Sequence, residues 1–275
     1  MLRQTSGSSL CYACGKLNRV DAAVCFYCGA RRPGLWGFAP VLGRFVGRFE
    51  FARLVIVACI AAYAASILLD PQAALRPRGP FNFLAPSTSA LVALGMTGAF
   101  AAETGRWWTL FTAIYLHGSL LHILFNLLWI RDLGRAVESV YGWSRTALIF
   151  TAAGVIGFLA SNWAGVPRTV GASGAVFGLL AAMVAYGRAR GGLFGMAVFR
   201  QYWQWSLVLF VMGFLMADVN NVAHAGGFVG GYLASLALGS RERYSDRGWH
   251  HVAAGLAVAV TIASFALATV TAVAD

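Results

Sequence analysis

The chain has 275 residues, 59% of them hydrophobic and 11% charged, with a net charge of +11 and a mean hydropathy of +0.68. Such an apolar excess excludes a water-soluble globular domain and makes the bilayer the expected solvent. The positive charge falls between apolar stretches rather than along one helix face, so anionic lipid headgroups, not nucleic acid, are its expected partners.

Residues 1–34 are hydrophilic and hold Cys11, Cys14, Cys25 and Cys28 in the pattern C-x2-C-x10-C-x2-C, with Gly15 and Gly29 after the second cysteine of each pair. Each C-x-x-C turn presents two thiolates, and two turns close a tetrahedral zinc site. A disulfide pair fits a reducing cytoplasm poorly, and redox work needs only one such turn. So short a segment buries little, and a structural zinc would supply much of its folding free energy. The segment resembles the zinc-ribbon and zinc-knuckle modules of many bacterial membrane proteins, which implies docking to a protein partner or regulation. No cleavable signal peptide is expected, since the segment has no sustained apolar run. Residues 35–50, with Gly34, Gly37, Pro40, Gly43 and Gly47 among aromatics and arginines, suit a linker lying along the membrane surface.

Uncharged apolar stretches then recur at 54–69, 107–130, 146–167, 169–187, 201–217, 219–240 and 252–274. Each is long enough to cross a hydrocarbon core that takes about 20 helical residues. The period-2 alternation of a barrel is missing, so the expected class is an all-α polytopic bundle, with strands confined to the N-terminus. Residues 79–102 are also uncharged. Reading seven spans and a cytoplasmic N-terminus places 17 of the 21 basic residues inside and only Arg76, Arg78, Arg106 and Arg168 outside. Counting 79–102 as an eighth span abolishes that bias, so it is read as an external or partly re-entrant loop. Cys59 reads as a small buried hydrophobe, and His250 and His251 as residues among lipid headgroups.

Polar residues at membrane depth are costly and default to function. Gly171, Ala172, Ser173 and Gly174 open the fourth span, with Gly178 in G-x-x-x-G spacing. His224 opens the sixth, followed by Gly226, Gly227, Gly230 and Gly231. Small faces let two helices approach closely, which would bring a hydroxyl to an imidazole. Ser173 follows Arg168 by five residues and His224 follows Asp218 by six, so at about 1.5 Å per residue both lie roughly 8 to 9 Å below those charges. They are level. The second span offers His117, His122 and Asn126, the latter two on one helical face. With the Ser173 N–H, they are candidate donors to an oxyanion. Their depth matches only if that helix starts near His117, which leaves 107–116 as a loop or interfacial segment and places Arg131 and Asp132 at the inner interface, snorkelling or paired.

G-A-S-G at 171–174, H-x4-H-x3-N at 117–126, A-H-A-G-G at 223–227, and Glu138, Tyr141 and Gly142 in E-x-x-Y-G together resemble the rhomboid proteases over about residues 51–241. The resemblance implies a six-helix catalytic core with one additional C-terminal helix in 242–275. It also implies a Ser173–His224 dyad needing no catalytic cofactor, an oxyanion site near His122 and Asn126, and support from Gly171, Gly174 and His117. The implied substrates are transmembrane helices of other proteins, cut near the extracytoplasmic side of the inner membrane. One departure is visible: the family's first loop carries a Trp-Arg pair where this chain has Trp108 and Thr109. No Asp or Glu sits within either catalytic span, so a dyad here needs packing to fix the imidazole tautomer. A rhomboid-like protein that binds helices without cutting them is the alternative, although inactive relatives usually lack the serine or the histidine. A small transporter fits less well, since no two similar halves are visible.

Overall fold

The computed structural model describes residues 3–12, 16–27, 29–39, 50–76, 79, 82–216, 219–239 and 248–274. The chain divides into two compact units, Met1–Glu50 and Phe51–Asp275.

The first unit is built on an antiparallel hairpin of β1 (Ser8–Leu10) and β2 (Leu17–Arg19), in register Ser8 with Arg19 and Leu10 with Leu17. Cys11 directly follows β1 and its N–H donates to Lys16 O, while the Cys25 N–H donates to Ala30 O. Both cysteines are buried. The Asn18 amide donates to Cys25 Sγ at 3.3 Å and accepts from Phe26 N, a donor arrangement that suits a thiolate. Cys14, Cys28 and residues 40–49 of the expected linker lie outside the described residues, and among the described ones no metal-sized cluster occurs.

The second unit is all-helical. Its long helices are α1 (Phe51–Leu69), α6 (Leu120–Trp163), α7 (Ser173–Arg190), α8 (Gly192–Phe214), α9 (Asn221–Leu238) and α10 (Gly248–Ala274), with short α2 (Pro71–Ala74), α3 (Thr88–Ala93), α4 (Ala99–Glu103) and α5 (Thr109–Thr112) before α6. Gly142, at φ 77° and ψ 165°, breaks α6 into two limbs, which makes seven long rods among the described residues. By length and composition alone, Phe51–Leu69, Trp143–Trp163 and Gly248–Val273 are apolar enough to cross a membrane. A fourth candidate is the bent pair Thr109–Tyr115 and Leu120–Tyr141, which turns by 91°. The remaining rods are less apolar: α7 and α9 carry glycines and the polar site, and α8 carries Arg200, Gln201 and Gln204. Most of α7 is buried by its neighbours rather than exposed to lipid.

The expected boundaries shift in two places. Residues 169–172 precede α7 as non-helical chain, with Thr169 N–H donating to Thr97 O and Ala172 as the N-cap. α8 begins at Gly192 rather than 201, directly after the one-residue turn at Gly191. Among its described residues the 79–102 segment holds only short helices, as a loop should.

The E-x-x-Y-G residues explain themselves physically. Glu138 accepts from the N–H groups of Phe51 (2.7 Å) and Ala52 (3.2 Å), capping α1 from across the fold. The Tyr141 hydroxyl donates to Ala182 O of α7 at 2.9 Å. Gly142 supplies the positive φ at the break, which a side chain would strain. Arg131 does pair with Asp132, at 2.9 Å, and Arg135 joins them. Of the two histidines in the first turn of α10, His250 is buried rather than set among headgroups, while His251 stays exposed and also bonds Ser144 at 2.6 Å and stacks on Trp143. They serve helix packing, because α10 lays its first turn against the second limb of α6.

Candidate active site

Glycine decides how α7 and α9 meet. A methyl at Gly178 would lie 3.2 Å from Gly227 O and 3.4 Å from Gly231 Cα, and one at Gly231 would overlap Gly178. The sequence grouped Gly226, Gly227, Gly230 and Gly231 as one small face, yet only Gly227 and Gly231 face α7. Gly226 and Gly230 face the second limb of α6, where a methyl would come within 2.8 Å of Ala160 Cβ and Ile156 Cβ respectively. Successive helical residues are about 100° apart, so each Gly-Gly pair serves two neighbours and α9 wedges between them.

This seam carries Ser173 and His224, each in the first turn of its helix. Ser173 Oγ lies 2.8 Å from His224 Nε2. The imidazole stacks on Phe177 with centroids 4.4 Å apart and planes 18° from parallel, and its Nδ1 lies 3.2 Å from Asn221 Oδ1. Phe177 and Asn221 were missed in the sequence, although Phe177 is four residues after Ser173 and Asn221 three before His224, both helical-neighbour spacings.

The N-cap of α7 is Ala172, which offers no side-chain cap. The first N–H groups, Ser173's included, therefore face the site with the positive end of the helix dipole. Gly171 precedes them at φ 127°, a conformation only glycine adopts freely. A Cβ there would lie 2.7 Å from His122 Nε2 and 3.9 Å from Ser173 Oγ, so the space left by the missing side chain borders both. His122 Nδ1 accepts from Gly118 N at 3.3 Å, which leaves the ring proton on Nε2, pointed at that space. Asn126 is buried and spends one amide hydrogen on His122 O at 2.9 Å. His117 is fully buried; its Nδ1 lies 3.2 Å from Tyr115 O, and its ring meets His122 edge-on at 5.1 Å.

Thr109 stands where an arginine was expected, and the loop is anchored by hydroxyls instead. Thr109 Oγ1 donates to Arg106 O at 2.7 Å and pairs with Thr97 Oγ1 at 3.0 Å. Asn162 also donates to Thr97 Oγ1, and Thr112 donates to Gly95 O. Asp218, the charge from which the depth of His224 was counted, lies outside the described residues.

A hydroxyl bonded to an imidazole, beside several aimed N–H donors, is the equipment of acyl transfer. The rhomboid domain family matches residues 104–241, half of the chain. Rhomboid protease GluP of Bacillus subtilis is 35% identical over 153 residues, 56% of this chain and 30% of that protein. RHOMBOID-like protein 1 of Arabidopsis thaliana is 29% identical over 213 residues, 69% of this chain and 53% of that protein. Rhomboid-type serine protease 2 of Emericella nidulans is 34% identical over 143 residues, 49% of this chain and 26% of that protein. The chain thus spans about half or less of the length of these relatives.

Proposed function

Because this chain belongs to the rhomboid family, we propose that it is an intramembrane serine endopeptidase whose nucleophile is Ser173 and whose general base is His224. The observation that carries this reading is the 2.8 Å contact between Ser173 Oγ and His224 Nε2, made by helices packed glycine against glycine. His224 takes the Ser173 proton as Oγ attacks the scissile carbonyl, and returns it to the departing amine. The oxyanion that forms is met by the Ser173 N–H, by His122 Nε2–H and by the second Asn126 amide hydrogen. Gly171 keeps that space open, Gly174 lets α9 approach, and His117 supports the His122 ring. Water then releases the acyl group from Ser173 with His224 acting again as base.

The substrates are transmembrane segments of other membrane proteins. Such a segment must unwind locally before a carbonyl is accessible, because helical carbonyls are hydrogen-bonded and shielded. The charge asymmetry supports an inner-membrane protein with its N-terminus in the cytoplasm and its site opening outward. In the first unit, Cys11, Cys14, Cys25 and Cys28 would hold a structural zinc; the burial of Cys11 and Cys25 and the Asn18 amide bonded to Cys25 Sγ support it. Bound zinc would supply folding free energy to a unit that docks a protein partner.

The test is to incubate the purified chain in proteoliposomes with a panel of single-span substrates beside Ser173→Ala, and to label both with a fluorophosphonate. Cleavage and labelling by the unaltered chain, and neither by Ser173→Ala, is the expected result. Labelling elsewhere, or cleavage that survives Ser173→Ala, refutes the assignment.

A further inference from the structure

The proposed chemistry demands one form of the imidazole. Ser173 Oγ–H can pass its proton only to a bare Nε2, so the ring proton of neutral His224 must reside on Nδ1. No carboxylate meets that nitrogen among the described residues; its partner is the Asn221 amide oxygen, 3.2 Å away. We propose that Asn221 is a positioning residue of this site, holding the productive tautomer and ring orientation of His224. The inference rests on Ser173 and His224 being the catalytic pair.

Three observations support it. Asn221 is the first residue of α9, and at three residues before His224 its side chain shares the same helical face. The capping of α9 is done by its neighbour: Asn220 Oδ1 accepts from Ala223 N at 3.0 Å, and Asn220 Nδ2 donates to Ser161 at 2.6 Å and Thr169 at 3.2 Å. Asn221 is therefore not needed to start the helix. The seat of its amide oxygen is also shaped from α8, since a methyl at Gly213 would overlap Asn221 Oδ1 and lie 3.0 Å from its Cγ.

An amide, unlike a carboxylate, can set the tautomer either way. With Oδ1 toward Nδ1, it accepts the ring proton and leaves Nε2 able to receive one. Turned about, its NH2 would donate to Nδ1 and favour a protonated Nε2 that cannot act as base. The bare Gly213 backbone leaves room for the amide head beside Nδ1, while Phe177 stacks on the ring and limits its rotation.

The test compares Asn221→Ala, Asn221→Asp and Gly213→Ala in the full chain, with Ser173→Ala as the inactive reference. kcat and KM are measured on a substrate the unaltered chain cuts, fluorophosphonate labelling rates are followed across pH, and thermal unfolding is recorded. Asn221→Ala is expected to lower kcat and labelling about tenfold, as for one lost hydrogen bond to the ring, with KM unchanged. Asn221→Asp, which accepts only, is expected to restore most of the rate and to move the acidic limb of the pH profile upward, because a carboxylate favours the imidazolium. Gly213→Ala is expected to slow labelling although Asn221 is intact. Unchanged kcat and pH profile in Asn221→Ala, beside a dead Ser173→Ala, overturn the positioning role alone. So does an Asn221→Asp variant as slow as Asn221→Ala with an unmoved limb, which would leave Asn221 a structural residue. Activity in Ser173→Ala overturns the premise, and this proposal with it.

Discussion

Gly227→Ala tests whether helix packing sets the distance between Ser173 and His224, the proposed catalytic pair. Gly227 lies three residues after His224 and faces Gly174, the residue after Ser173. A methyl at Gly227 would lie 2.6 Å from the Gly174 carbonyl carbon and 2.9 Å from its Cα. Both are backbone atoms, so no side chain can swing aside. Reaching an ordinary carbon contact of about 3.6 Å requires α7 and α9 to part by roughly 1 Å. The Ser173–His224 contact, 2.8 Å at present, then stretches to about 3.8 Å and ceases to be a hydrogen bond. A misplacement of that size costs about 100-fold in rate, and the overpacking about 1 to 3 kcal/mol of stability. Fluorophosphonate labelling reads the first effect and thermal unfolding the second. Gly255→Ala in α10 is the control, because nothing lies within 4 Å of its would-be Cβ, and it should behave as the unaltered chain. A Gly227→Ala variant that labels within about twofold of the unaltered rate would show that the seam does not govern the dyad.

Three further outcomes are expected. Glu138→Ala removes the cap on two N–H groups of α1 and should cost about 2 kcal/mol, seen as a lower unfolding midpoint, whereas Glu138→Gln, which keeps one acceptor, should cost less. Thr97→Val removes the hydroxyl shared by Thr109 and Asn162 and should cost about 1 to 2 kcal/mol, with faster proteolysis within residues 88–115 as the local readout; unchanged proteolysis would mean the hydroxyls do not anchor the loop. The unaltered chain should carry one zinc by elemental analysis, and Cys25→Ser should lose it while Ser173 labelling persists, unless the cysteines bind no metal at all.

Much of the site could be read before folding was considered. Ser173, His224, His122 and Asn126 stand out because a polar group at membrane depth has few reasons to be there, and because helical spacing and depth are linear in sequence. The start of α6 near residue 117 also follows from depth, since a helix begun at Trp107 would carry Asn126 to the opposite face. What escaped were matters of rotation and pairing. The Gly-Gly pairs were assigned to one neighbour, although a helix turns far enough per residue to serve two. His250 was read as a headgroup residue, yet the packing of α10 buries it, and the contacts of the exposed His251 with Ser144 and Trp143 depend on segments far apart in the chain. The hydroxyl anchoring of the first loop was hidden because Thr97, Thr109 and Asn162 are meaningful only once their segments meet.

The sequence by itself determined that this chain is an apolar helical bundle, with a serine and a histidine at equal depth on two glycine-lined helices. Periodicity, charge asymmetry and rise per residue are local quantities, and a single strand of letters contains them. Only the tertiary structure decided that these helices meet through Gly174, Gly178, Gly227 and Gly231, and that Phe177 and Asn221 complete the surroundings of the imidazole. Close packing fixes the rotation of each helix against all its neighbours at once, and no one segment carries that information.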